Sequence, residues 1–513
     1  MRVVARRYSG SFSRSGPQPE IRIGLSAIVF LLLCFVISCS NSSSSHPMFS
    51  NANLKGNFTY TLSGTSYGSG GGPYQESGTF IADGNGNITD GIDDFIQNST
   101  VSSNPITGSY TVNNNGNVTM TLNSSRGQVQ FAMTILSTSS LYLIEYDSFA
   151  TGSGVALQQN PAAFSAAPTG TFVFRLHSSV ANSAAQGSVS SVGQMILQQG
   201  AITGTEDVVR DGVPGATSIL GVMTSPDTNG RGTVELNDGA GNESNYIYYV
   251  VDSNILKFLE TDSGTLGGGR ADQQSAGPFS NASLQGGLSF RGRGDTLTSS
   301  FGANSLGEFI SDGNGNITGG SYDAVQDGNA AANVPLTGSY AVDSTGRAAI
   351  TLNPQGMSPI SLIVWMVNSS SGLLMVNSAN LSVVGRIDQQ QETSFSAASL
   401  KGNFAFYMFG TESQGAPSVN KVGVLTFDGS SQVTFNDYFV DLGGQTARKG
   451  PASGTYSVSS DGRVVSFTVG GDHTQILYLI SDGSASLIVG TSGSELAGSI
   501  AQQTASSGAI PPD

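Results

Sequence analysis

One four-residue phrase returns through the chain at an almost fixed interval, and that interval limits the folds available. Phe49-Ser50-Asn51-Ala52 is followed by Phe164-Ser165-Ala166-Ala167, Phe279-Ser280-Asn281-Ala282 and Phe395-Ser396-Ala397-Ala398, at steps of 115, 115 and 116 residues. A second phrase comes shortly after each: Leu54-Lys55-Gly56-Asn57-Phe58, Thr169-Gly170-Thr171-Phe172, Leu284-Gln285-Gly286-Gly287-Leu288 and Leu400-Lys401-Gly402-Asn403-Phe404. A Gln pair closes each stretch, at Gln158-Gln159, Gln273-Gln274, Gln389-Gln390 and Gln502-Gln503. Three markers in one register predict four copies of one unit, at 49–163, 164–278, 279–394 and 395–503. A chain of 513 residues is too long for a single core, so each copy is expected to build its own.

Within the first unit, hydrophobicity alternates with a period of two. Phe58, Tyr60 and Leu62 alternate with Thr59 and Thr61; Val118, Met120 and Leu122 form another such row, and Val129, Phe131, Met133 and Ile135 a third. Turns rich in Gly, Asn and Asp separate the runs, notably Asp83-Gly84-Asn85-Gly86 and Asn114-Asn115-Gly116. This is the pattern of antiparallel hairpins with one buried face. No segment shows a 3.6-residue period. The count is about eight short strands per unit. The fold class is therefore all-β: four tandem repeats of about 115 residues, each a small antiparallel up-and-down β-barrel of about eight strands. A two-sheet β-sandwich is the alternative. Closure is preferred because it leaves no exposed strand edges on neighbouring β units. The second turn has a Gly in every unit, at Gly116, Gly230, Gly346 and Gly462, where a tight hairpin needs positive φ. The Phe phrase is read as a short helical turn that plugs a barrel mouth or packs between neighbours, or else as a plain linker.

Low charge with 68 Gly residues would suit disorder, but 38% of residues are hydrophobic and fall into regular runs. The net charge is -15. Setting aside five Arg and one Glu in the first 38 residues leaves about -19, which repels a phosphate backbone. Nucleic acid is thus excluded as a partner. Both cysteines, Cys34 and Cys39, precede the repeats, so the repeats contain no disulfide, thiolate metal site or thiol nucleophile.

The leading segment carries Arg2, Arg6, Arg7, Arg14 and Arg22, then an apolar run from Gly24 to Ile37. A membrane span needs about 20 apolar residues, so this shorter run reads as the core of an export signal. Val36-Ile37-Ser38-Cys39 resembles the lipobox of bacterial lipoproteins. That resemblance implies a signal peptide over 1–38, cleavage before Cys39 and lipid attachment to its thiol. The polar stretch 39–48 is then a flexible tether. Ser40 after the cysteine implies, by the same likeness, sorting to an outer membrane or the cell surface. Residues 504–513 are expected to form a disordered tail.

Candidate chemistry is sparse. Asp83-Gly84-Asn85-Gly86-Asn87 and Asp312-Gly313-Asn314-Gly315-Asn316 place oxygen donors as a calcium loop does, with Asp94 and Asp323 at the twelfth position. Ile88 and Ile317 stand where Gly is required, so hairpin turns are the expectation. The histidines, His46, His177 and His473, do not share a repeat position. The carboxylate pairs Asp93-Asp94 and Glu206-Asp207 are adjacent on strands and should point to opposite faces, which disqualifies them as paired acids across a cleft. Tyr110, Tyr340 and Tyr456 hold matching positions and read as core. No catalytic residue, metal ligand or cofactor is assigned; Cys39 is the only site.

The lipobox, the LKGNF opening, the DGNGNIT turn, the TGSY strand and the QQ ending together resemble uncharacterised bacterial repeat lipoproteins, over nearly all of 49–503. That likeness implies class and location, with no activity. The expected function is a non-enzymatic cell-envelope lipoprotein displaying four β-domains, as an extended array, for adhesion or ligand/matrix binding. Its partners would be the membrane, through Cys39, and an extracellular polymer, a protein or a small apolar ligand. The alternatives are lipocalin-like barrels holding a small molecule inside, and an exported polysaccharide-active hydrolase.

Overall fold

The computed structural model describes residues 48–68, 70–180, 187–297, 302–411, 417–468, 474–481, 483–489 and 496–506. Cys39, the leader 1–38, the tether up to residue 47, His46, His473 and residues 507–513 lie outside the described residues. What is described is β-strand, apart from short 3-10 turns at Asn51–Asn53, Pro161–Ser165, Asn281–Leu284 and Ala397–Ser399.

Four antiparallel eight-stranded barrels follow one another, as the repeats predict. They run from Lys55–Ser66 to Ala150–Gln158, from Gly170–Val180 to Thr265–Gln273, from Gln285–Thr296 to Leu381–Gln389, and from Lys401–Thr411 to Ala497–Gln502. Each strand pairs with the next, and the eighth returns to the first through Phe58↔Gln158, Phe172↔Gln273, Leu288↔Gln389 and Phe404↔Gln502. In the first barrel the fourth strand is broken at Ile106 into Thr100–Pro105 and Thr107–Val112; in the third the same strand is continuous, Asn329–Val342.

The inward faces are filled. Phe58, Tyr60, Phe80, Phe131 and Met133 occupy the first barrel, and Phe404, Phe406, Phe427, Phe435 and Met408 the fourth. A gap lined by Tyr60, Glu76 and Asp93 in the first barrel holds about 10 Å³, the space of roughly one water. Aromatic and aliphatic packing of this kind opposes a lipocalin-like interior.

The repeated phrases meet at one junction per barrel. Phe49, Phe279 and Phe395 are buried in the cores of the barrels they precede, and Phe164 packs against its own. Each ring lies against the Gly of the second turn: a Cβ on Gly462 would come within 2.9 Å of Phe395 and of Gln390 Nε2. The tyrosines fasten the 3-10 turn above. Tyr110 Oη donates to Leu54 O at 2.6 Å and Tyr456 Oη to Ala397 O at 2.9 Å.

The Gln pair explains how the units assemble. The first Gln serves its own barrel; Gln158 Nε2 donates to Lys55 O at 3.0 Å. The second enters the next barrel. Gln159 Nε2 donates to Val250 O at 2.8 Å, Gln274 Nε2 to Met366 O at 2.7 Å and Gln390 Nε2 to Leu479 O at 3.0 Å. Gln503 Nε2 donates to Ile135 O at 2.8 Å, which belongs to the first barrel. Thr504 N–H then donates to Leu136 O at 2.8 Å. The fourth barrel therefore returns to the first, and the barrels form a closed ring. This departs from the extended array expected from the sequence. The physical reason is on the outer walls: Val173, Val192, Val209, Ile363, Trp365 and Leu373 point away from their own cores and pack between the second and third barrels. An open array would leave such faces in water.

Candidate functional site

A ring has seams and a centre, and the two differ in chemistry. In three seams an Asp on the third strand of one barrel meets an Arg and an aromatic donor on the fifth and sixth strands of the next. Asp94 is held by Arg231 Nε at 2.6 Å and by Tyr249 Oη. Asp207 is held by Arg347 Nε at 2.8 Å and Trp365 Nε1 at 3.0 Å. Asp323 is held by Arg463 Nε at 2.8 Å and Tyr478 Oη at 2.6 Å. Two-point Arg–carboxylate pairing fixes both distance and rotation between barrels. In the fourth seam Phe439, Asn117 and Thr134 occupy the equivalent positions, and Asn117 Nδ2 donates to Asp437 Oδ2 at 3.0 Å. Tyr142 stacks near Tyr407 there, with ring centroids 4.4 Å apart.

These contacts settle the carboxylate pairs. Asp94 and Asp207 face the seams, while Asp93 and Glu206 turn into their barrels, as strand alternation requires. Asp93 meets Arg126 Nη2 at 2.6 Å and Tyr60 Oη at 3.1 Å, in a space too small for a sugar ring. The calcium-like loops are hairpins: Asp83 accepts N–H groups of Asn85 and Asn87 at 2.7 and 3.0 Å, and Asp312 repeats the arrangement. These bonds hold Asp83 down at about pKa 2. Among the described residues no group of three or more His, Cys, Asp or Glu is arranged to hold a metal ion.

The centre is different. The first and eighth strands of all four barrels face a shared chamber of about 810 Å³. Pairing across strands fixes which positions point into it. In the second barrel Arg175 lies opposite Arg270, and Arg270 opposite Lys257. In the third, Arg291 lies opposite Arg386. Arg293, two residues on from Arg291, also lines the chamber. These six are more than a quarter of the 21 Lys and Arg in the chain, although the leader alone takes five. His177 is on the same wall, with Nε2 3.3 Å from Asp295 and Nδ1 3.2 Å from Ser190 Oγ.

The facing half of the chamber is neutral. Thr61 and Ser63 come from the first barrel and Tyr407 and Phe409 from the fourth, at the repeat positions of Arg175, His177, Arg291 and Arg293. Burial, together with Arg291, Arg270 and Arg386 nearby, lowers Arg175 to about 9. Burial and then Arg270 and Arg175 push Lys257 well below its usual range. Burial opposes the charge of Arg386, but Asp388 and Asp272 hold its pKa above the ordinary value. Arg386 Nε donates to Asp388 at 2.7 Å and Arg270 Nε to Asp272 at 2.9 Å. Arg291 Nη1 donates to Ser499 Oγ at 2.9 Å, while its Nη2 is buried without a hydrogen-bond partner. Arg293 lies 3.7 Å over the ring of Phe409.

Sequence reading missed this site. The signal was present as Arg270-Ala271-Asp272 and Arg386-Ile387-Asp388 just before two of the Gln pairs, and as Arg175 and Arg291 at one repeat position. Cations on the outer face of a strand look solvated until a ring turns that face inward.

No family model and no curated protein matches the chain. Among solved structures it is similar to the intact Ap-TbpB protein (N and C lobes), at 7% identity and a TM-score of 0.17, over 88% of this chain and 95% of that one. A likeness that distant carries no argument.

Proposed function

We propose that the protein is a non-enzymatic cell-envelope lipoprotein, anchored through Cys39, that presents a closed ring of four β-barrels and binds a ligand in the chamber at its centre. The observation that carries this reading is the contrast in space: the barrel interiors are packed, while about 810 Å³ is open where all four barrels face one another. That volume is in the range of small-molecule sites. Three Arg–Asp–aromatic seams make the ring rigid, so the chamber exists before a ligand arrives and little ordering cost is left for binding. A hydrolase would need two opposed carboxylates reachable by substrate. The acids Glu76 and Asp93 approach each other only inside the filled first barrel.

Adhesion is supported by a separate feature. Ile196 on the second strand of the second barrel and Leu220 and Val222 on its fourth are exposed on either side of the third strand, in one row through Thr203, a patch suited to contact with a surface.

Two experiments test the proposal. Cys39→Ser should release the chain from envelope membranes; retention and globomycin-sensitive processing of that variant would defeat the anchor. Native mass spectrometry of the chain released gently from membranes should show a small-molecule adduct that Ser63→Trp, which fills the chamber, removes. An adduct indifferent to Ser63→Trp, or turnover of a polysaccharide by the purified chain, would defeat the binding role.

A further inference from the structure

We infer that the chamber takes a short acidic saccharide, its carboxylate, phosphate or sulfate groups set against the arginines of the second and third barrels and its hydroxyls against the first and fourth. This rests on the reading that the chamber binds a ligand, and adds the ligand's chemistry.

The repeats supply their own control. At three equivalent ladder positions on the outer barrel face the second barrel carries Arg175, Arg270 and Lys257, and the third carries Arg291, Arg386 and the neutral Leu373. The first barrel carries Thr61, Val155 and Tyr142 there, and the fourth Tyr407, Ser499 and Ser486. The barrel thus closes equally well without a cation at any of these places, so strand pairing does not account for the arginines. Packing does not account for them either. Five basic side chains, Arg175, Lys257, Arg270, Arg291 and Arg293, line the chamber with one carboxylate, Asp295, while Arg386, Asp272 and Asp388 lie beside them on the same strands, and like charges so placed repel one another. A bound anion would relieve that repulsion and supply the acceptor that Arg291 Nη2 lacks.

The rest of the chain narrows the anion. A net charge of -15 repels long polyanions from the outer surface. At physiological salt that field fades within about 8 Å, so a short anion that enters the ring meets mainly the chamber wall. The opposite wall offers hydroxyls from Thr61, Ser63 and Thr65. Hydroxyls suit a sugar; a bare inorganic anion would leave that half of the chamber unused.

The test is isothermal titration calorimetry on the detergent-solubilised full chain with trigalacturonate, glucose 1-phosphate, inorganic phosphate and neutral maltotriose. The acidic saccharides should bind, more weakly as salt is raised, and maltotriose should bind at least roughly ten-fold more weakly. Arg291→Gln/Arg293→Gln should weaken acidic-saccharide binding by roughly ten-fold or more, while Lys55→Gln, away from the chamber, should leave it unchanged. Two results would overturn the inference. One is inorganic phosphate binding as tightly as glucose 1-phosphate, which removes the sugar. The other is maltotriose binding as tightly as trigalacturonate, or no probe binding at all, which removes the acid groups. The chamber reading would survive either result if the native adduct is still lost in Ser63→Trp, and would fall separately if it is not.

Discussion

Removing the Arg463 guanidinium asks whether the seams hold the ring together. Asp323 is fully buried between the third and fourth barrels. It accepts Arg463 Nε at 2.8 Å, Arg463 Nη2 at 2.7 Å, Tyr478 Oη at 2.6 Å and the N–H of Asn333 at 3.0 Å. Deleting one partner of a buried pair costs about 3–5 kcal/mol, because the other charge is left uncompensated. Two hydrogen bonds to Asp323 remain after Arg463→Ala, so the lower end, about 3 kcal/mol, is expected. With Asp323→Asn already present no charge is stranded, and Arg463→Ala should then cost about 1 kcal/mol. The difference, a coupling of about 2 kcal/mol, is what a double-mutant cycle measures by urea unfolding followed by circular dichroism. A cost below about 0.5 kcal/mol in both backgrounds would place the pair among screened surface contacts and refute the rigid-ring argument.

Other outcomes follow from the same geometry. Burial raises the Glu145 carboxyl to about 8 against an unfolded value near 4.3, so the folded state binds the extra proton. Its favourable contribution is complete below about pH 4 and is lost as pH rises through about 8; Glu145→Gln should therefore raise the melting temperature at pH 8 and leave it unchanged near pH 4, and an equal effect at both would sink the assignment. Gly462→Ala places a Cβ 2.9 Å from Gln390 Nε2 and Phe395 at a φ of +90°, and should cost about 2 kcal/mol or more by chemical denaturation; a neutral result would show that the junction yields. Gln503→Ala removes two hydrogen bonds, to Asn115 O and Ile135 O, worth about 1–3 kcal/mol together. Small-angle scattering in mild urea should then show the ring opening before the barrels unfold, and an unchanged radius of gyration would refute closure through this hook.

Most of the barrel could be read from the chain. All eight strands of the first barrel follow from alternation between Gly- and Asn-rich turns, the fourth only in its second half, Thr107–Val112, because a barrel strand has one face buried and one not. The piece Thr100–Pro105 was silent: its residues are mostly exposed and polar, and Pro105 argues against a strand. The turn ahead of it was hidden too. The first barrel makes it with Asn98 and Ser99, at φ of 49° and 65°, where the second uses Asp211-Gly212 and the third Asp327-Gly328. The Gln pairs were legible as punctuation but not as hooks, since nothing in one repeat says what lies beside it. The chamber was illegible for the same reason: the outward face of Arg175 or Arg291 becomes an interior only when Gln503 reaches the first barrel.

The unlike fourth seam bears on why the assembly stops at four. A face that accepts the next unit in every barrel is heterologous, and such faces build open filaments unless rotation closes them. If the last seam matched the others, the third-strand face of the fourth barrel would fit an Arg-bearing barrel of a second molecule as well as its own first barrel. Phe439 replaces the Asp of the other seams, and a buried Arg would find no carboxylate opposite it at that position. Asn117 and Thr134, in turn, offer no cation to Asp94, Asp207 or Asp323 of another chain. Asn115 and Asn117 instead bind Asp437. Mismatched ends that pair only with each other favour the intramolecular partner, already held nearby by the chain, and close the wall on which the basic chamber depends.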